Sequence, residues 1–127
     1  MVRIVGAGVL MLLVAGCGNP WPRHFSGRAV QSWPETQISR ITFERVDYAA
    51  LRADPELAGY SIIGAAHFCK TPHEKGTSPH GLDEHAAQVG AQLVRWAARD
   101  PYKELPYHAR GWVQESLEYY AVYYREN

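Results

Sequence analysis

Five side chains able to ligate a metal or carry a reactive thiol fall within nineteen residues: His67, Cys69, His73, His80 and His85. Imidazole and thiolate are good ligands for zinc and copper. His67 and Cys69 are two apart, so a strand at that point turns both toward one side. A loop after them can bring His73 or His80 back, giving a candidate metal set of His67, Cys69, His73 and His80. The spacing matches no zinc-finger pattern. Cys69 with His67 or His85 could also form a thiol–imidazole pair, but no motif supplies a third orienting group or an oxyanion hole. Asp83 and Glu84 suit the start of a helix, where acids complement the dipole, better than a general acid/base pair. The serines lie in no nucleophile elbow and the glycines form no phosphate loop. The plainer reading is a buried thiol beside surface histidines. No catalytic residue and no cofactor are expected, and the chain is not expected to be an enzyme.

The first residues read MVRIVGAGVLMLLVAGCG. Arg3 and the start amine make a positive end, Ile4 to Val14 an apolar run, and Val14-Ala15-Gly16-Cys17 a close of mostly small residues. Those are the three parts of a secretory signal. The run is too short to cross a bilayer, which needs roughly 20 apolar residues. The closing tetrad resembles the lipobox of bacterial lipoproteins. That resemblance implies a diacylglycerol on the thiol of Cys17, cleavage just before it, and usually a further acyl chain on the new amine. Residues 1–16 would then be signal peptide, and Cys17 the first mature residue and membrane anchor. One acyl chain binds a membrane marginally and each buried methylene adds about 0.8 kcal/mol, so two or three chains hold a small domain durably. Gly18 and Asn19 follow, with no aspartate. By the sorting rule of Gram-negative lipoproteins this implies the outer membrane, on its periplasmic face; a Gram-positive host would use its only membrane.

The chain has 127 residues, with thirteen lysines plus arginines against thirteen aspartates plus glutamates. Losing residues 1–16 removes Arg3 and leaves the balance near neutral. With no basic run, nucleic acid is not an expected partner. No second long apolar segment follows. The two cysteines are Cys17 and Cys69; with lipid on the first, Cys69 has no intrachain partner and is expected to be buried like a small apolar residue.

Residues 17–35 read as a lipidated tether. Three prolines and several small residues argue against helix or strand, and eighteen extended residues reach about 60 Å. Trp21, Phe25 and Trp33 are unusual in a spacer and are expected to pack on the domain or lie near the membrane. Residues 36–127 leave one modest core. Within them, Thr36–Val46 reads as strand. Asp47 caps a short helix that ends at Asp54-Pro55. Gly59–Phe68 reads as strand, and a Pro/Gly/His-rich loop follows. Leu82–Val89 reads as helix, stopped by Gly90, and Ala91–Ala98 as strand. Such a strand–helix–strand passage predicts a parallel βαβ unit. Asp100–Gly111 is loop. Trp112–Tyr124 could be helix or strand, and YYAVYY decides for strand, being hard to bury on one helical stripe. The expected fold is α+β, a small sheet of about four strands with one covering helix.

Gly59-Tyr60, Ile62-Ile63-Gly64, Phe68, Ala86-Ala87 and Gly90-Ala91 before Leu93-Val94 resemble small bacterial envelope lipoproteins of unassigned function. A helix ending in Gly-Ala before an apolar strand is also similar to the stress-sensor lipoproteins of the Rcs envelope system. The resemblance implies the order of elements. Those sensors depend on disulfides, which this chain cannot pair, so a sensing role is not implied. Tyrosine and tryptophan are enriched where proteins meet. Trp96, Tyr102, Tyr107, Trp112 and the tyrosine-rich terminal strand could therefore fill the core or present a surface to an envelope protein. The expectation is a lipid-anchored, non-enzymatic interaction or structural component. The alternative is a metal-binding or redox-responsive envelope module.

Overall fold

A computed structural model describes residues 19–27, 36–70, 81–112 and 117–127. In chain order the elements are α1 (Pro20–Arg23), β1 (Phe25–Gly27), a 3-10 turn at Ile38–Arg40, β2 (Thr42–Arg45), α2 (Tyr48–Ala53) and β3 (Tyr60–Lys70). They continue with α3 (Leu82–Gln88), β4 (Leu93–Arg99), α4 (Pro101–Glu104), a 3-10 turn at Tyr107–Trp112 and β5 (Leu117–Glu126). Cys17, His73 and His80 lie outside the described residues.

Among the described residues, five strands form one mixed sheet in the order β1-β3-β5-β4-β2. The segment expected to compete between helix and strand is its central strand. β5 runs antiparallel to both β3 and β4, so those two strands point the same way with β5 between them. The parallel pair expected around α3 is therefore split by β5. β2 lies parallel on β4 and β1 antiparallel on β3.

Period-two alternation explains how β5 takes so many tyrosines. Tyr119, Ala121 and Tyr123 go to one face, Tyr120, Val122 and Tyr124 to the other. A central strand covered on both faces can be apolar throughout. On the first face α3 buries Leu82, His85, Ala86 and Ala87 over Val94, Trp96, Ala121 and Tyr123. On the second, Leu51 of α2 packs with Leu93, Ala97, Val122 and Tyr124. The sheet thus has five strands rather than about four, and a helix on each face rather than one. α2 forms where Asp47 caps its first turn, Oδ2 accepting from the Ala50 N–H at 3.1 Å.

The expected tether is in part a piece of the domain. Pro20–Arg23 is a helical turn, Phe25–Gly27 is an edge strand, and Trp21 is fully buried. Local proline content favoured an irregular spacer, but packing overrode it. Trp21 stands edge-on to Phe68 with ring centroids 4.6 Å apart. The Phe25 ring crosses Gly64, where a Cβ would collide with it.

Candidate functional site

Among the described residues, the densest group of interacting polar side chains lies on the α2 face of the sheet and centres on Glu118. Three elements bring it partners. Arg99, the last residue of β4, stands directly opposite Glu118 of β5 and donates Nε–H to Oε2 at 2.6 Å. His67 of β3 stands opposite Tyr120, so Glu118 is its diagonal neighbour on the same face; Nε2 lies 2.6 Å from Oε1. Tyr48, in the first turn of α2, donates its hydroxyl to the same Oε1 at 2.7 Å. The Arg99 guanidinium also lies over the Tyr48 ring, 4.7 Å from its centroid.

Glu118 is only 9 % exposed. Burial pushes its pKa upward, but the hydrogen bonds from Tyr48, Arg99 and His67 outweigh burial and hold it at about 2. Tyr48 moves the other way, to about 12, because burial and its bond to the carboxylate both favour the protonated phenol. An ionised carboxylate only accepts hydrogen bonds, so the short contact requires a proton on His67 Nε2. That nitrogen's lone pair is then not offered to a metal. The chemistry is that of a saturated clamp. A carboxylate held near pKa 2 is a weak base at neutral pH, and a phenol near 12 is a poor nucleophile.

Cys69 is exposed, which corrects the expectation that it is buried. Alternation along β3 sends Phe68 into the core and Cys69 outward. His67 and Cys69 do share a face, as their spacing predicts, and Cys69 stands opposite Glu118. Among the described residues no three His, Cys, Asp or Glu side chains form a metal-sized group.

His85 is not a partner for Cys69. It lies on the buried side of α3, over the opposite face of the sheet, its Nδ1 2.8 Å from the Tyr123 hydroxyl, with the Phe25 ring edge-on at 5.0 Å. Burial lowers its pKa to about 4 and raises that of Tyr123 well above the usual phenol value. Asp83 and Glu84 occupy the first turn of α3 and are exposed, in keeping with their reading as helix-start acids. Of the expected aromatic surface, Trp96 is buried and Tyr107 is 87 % exposed. The other exposed large apolar residues among the described ones are Ile38 and Phe43.

Sequence spacing missed Tyr48, Arg99 and Glu118. The available signal was a carboxylate within the tyrosine-rich terminal strand, which demands a cationic partner once that strand is central. No protein family, curated protein or solved structure matches the chain.

Proposed function

We propose that this chain is a lipid-anchored protein of the bacterial envelope, held by acyl chains on Cys17 at the outer membrane and facing the periplasm. Its domain serves there as a non-enzymatic interaction or structural component. The observation that carries the reading is the sequence of the N-terminal segments: positive end, short apolar run and Val14-Ala15-Gly16-Cys17, two residues ahead of the first described helical turn. The anchor also gives a small domain a place to work without a membrane span of its own; no described helix is long and apolar enough to cross a bilayer.

The saturated Glu118 clamp supports the non-enzymatic part. Its acidic, phenolic and guanidinium groups bond to one another across β3, β4, β5 and α2, which suits a role in holding the fold. Among the described residues, Ile38, Phe43 and Tyr107 are the exposed large apolar side chains available to an envelope protein. A metal- or redox-responsive module is the second reading, favoured by the common exposed face of His67 and Cys69.

Mass spectrometry of protein extracted from membranes tests the anchor. The expected product lacks residues 1–16 and carries acyl mass on Cys17, and Cys17→Ser moves it out of the membrane fraction. An unmodified thiol on Cys17 overturns the reading. Crosslinking in intact cells with a photoreactive residue replacing Phe43 or Tyr107 tests the interaction role; an absence of adducts at both counts against it.

A further inference from the structure

The fold begins two residues after the proposed anchor. Asn19 is fixed from both sides: its Oδ1 accepts the Trp21 N–H at 3.1 Å and its Nδ2 donates to the Gly81 carbonyl at 2.8 Å. Gly81 has a left-handed backbone (φ 83°), and a Cβ there would come within 2.5 Å of the Asn19 side chain, so the turn before α3 is shaped to receive it. Trp21 follows, fully buried, against Phe68 and Tyr119. His24 stacks on Phe68 with centroids 5.4 Å apart, and β1 then pairs with β3. The first helical turn and first strand are thus locked to the core by an aromatic anchor, a side-chain cap and a β-ladder.

Covalent geometry sets the consequence. Consecutive Cα atoms are about 3.8 Å apart, so the Cα of Cys17 lies at most about 7.6 Å from that of Asn19. A free tether through residue 35 would have allowed about 60 Å. We propose that the domain is held flush against the bilayer, with the edge built from Asn19, α1 and the Gly81 turn resting on the lipid headgroups. This rests on the acylation of Cys17 proposed above. The occupant of that edge is the headgroup layer of the membrane that holds the acyl chains. Arg23 and His24 are exposed at the edge, as are Asp83 and Glu84 just beyond Gly81. With charges of both signs among its described residues, the edge fits a zwitterionic headgroup layer, and the anchor supplies the attraction. The opposite consequence is that β2, at the far side of the sheet from β1, is the edge strand whose lateral approach this docking leaves open.

Cys69 provides the test, because it is exposed and is the one cysteine besides Cys17. The acylated protein is labelled there with a donor fluorophore. It is then placed in phosphatidylcholine–phosphatidylethanolamine vesicles carrying a dilute acceptor on phosphatidylethanolamine. A second protein carries a flexible Gly/Ser insert of about 20 residues between Gly18 and Asn19, which adds about 25 Å of mean reach. High transfer in the native chain, falling about two-fold or more in the insert, is the expected result. Equal transfer in the two proteins, with acylation of both verified by mass spectrometry, overturns the docked arrangement while leaving the anchor intact. An unmodified Cys17 overturns both.

Discussion

Arg99 and Glu118 face each other across β4 and β5 and share a 2.6 Å hydrogen bond from Nε to Oε2. Directly opposed, oppositely charged side chains stabilise a strand pair. Here the pair also takes in a helix and a third strand, because Tyr48 and His67 complete the carboxylate's other oxygen. Four elements that are remote in sequence therefore meet at one carboxylate, which acts as a register pin for the end of the sheet where α2 begins.

Removing that pin has a defined cost. Glu118→Ala leaves the Tyr48 hydroxyl and the Arg99 guanidinium, whose side chain is 41 % exposed, without their acceptor. Solvent screens the arginine's share, so the loss of stability is expected to come mainly from the phenol and the half-solvated imidazole left unpaired. For a domain of this size the melting temperature is expected to fall by several degrees. In a double-mutant cycle with Arg99→Ala, the double variant should lose less stability than the sum of the two single losses. Additive single effects in urea denaturation would show that the two side chains do not act as a unit.

Acid should weaken the fold in two separable windows. His85 has a folded pKa near 4, below its usual 6.5. The unfolded chain therefore binds its proton first, and stability falls as pH drops from about 6.5 through 4. Glu118 is held near 2, below the usual 4.5, so its contribution is lost as pH drops from about 4.5 through 2. Each slope is bounded by about 1.4 kcal/mol per pH unit. His85→Gln is expected to flatten the upper window and leave the lower one. Denaturant midpoints measured from pH 7 to 3 check this, and an unchanged upper slope in the variant would contradict it.

The regular elements β3, α3, β4 and β5 can be read from local chemistry: β-branched runs, the Asp83-Glu84 helix start, the Gly90 stop and the YYAVYY cluster. Between β4 and β5, α4 and the 3-10 turn at Tyr107–Trp112 correct the expectation that Asp100–Gly111 is loop. α1 and β1 cannot be read from local chemistry. Pro20, Pro22 and Gly27 are turn-formers by composition, and what orders them is contact with Phe68, Gly64 and Gly81, more than thirty residues away. The Glu118 clamp was hidden for the same reason. Tyr48 and Glu118 are 70 residues apart and His67 and Glu118 are 51 apart, so their meeting depends on cross-strand register. Local periodicity put His67 and Cys69 on one face, but it could not say that the imidazole turns to a carboxylate rather than to the thiol's side of the loop.

Trp21 distinguishes a working part of the core from a spacer. With the ring fully buried, Trp21→Ala is expected to cost about 3–5 kcal/mol. Its indole Nε1–H is buried with no hydrogen-bond partner among the described residues. Trp21→Phe removes that orphan donor while keeping aromatic contact with Phe68, so its cost should be about 1–2 kcal/mol. Urea midpoints of the two variants give the comparison. A loss below about 0.5 kcal/mol for the alanine variant, as at an ordinary surface position, would return residues 19–27 to the role of a tether.

Cys69 and His67 give the last prediction, because exposure and hydrogen bonding pull the two halves of the candidate metal set apart. Cys69 stands outward on β3, so a thiol reagent should modify it in the native protein without denaturant; a buried thiol would wait for unfolding. His67 commits Nε2 to Glu118, leaving Nδ1 as its one available ligand atom. Metal binding would have to break the clamp or use that nitrogen. A resident ion bound only by the folded state would stabilise it by mass action. Chelator treatment is therefore expected to shift the melting temperature by less than about 1 °C, and elemental analysis to find no stoichiometric zinc or copper. A bound ion, with a large drop in melting temperature on its removal and loss of binding in His67→Ala and Cys69→Ser, would replace the interaction reading with the metal-binding one.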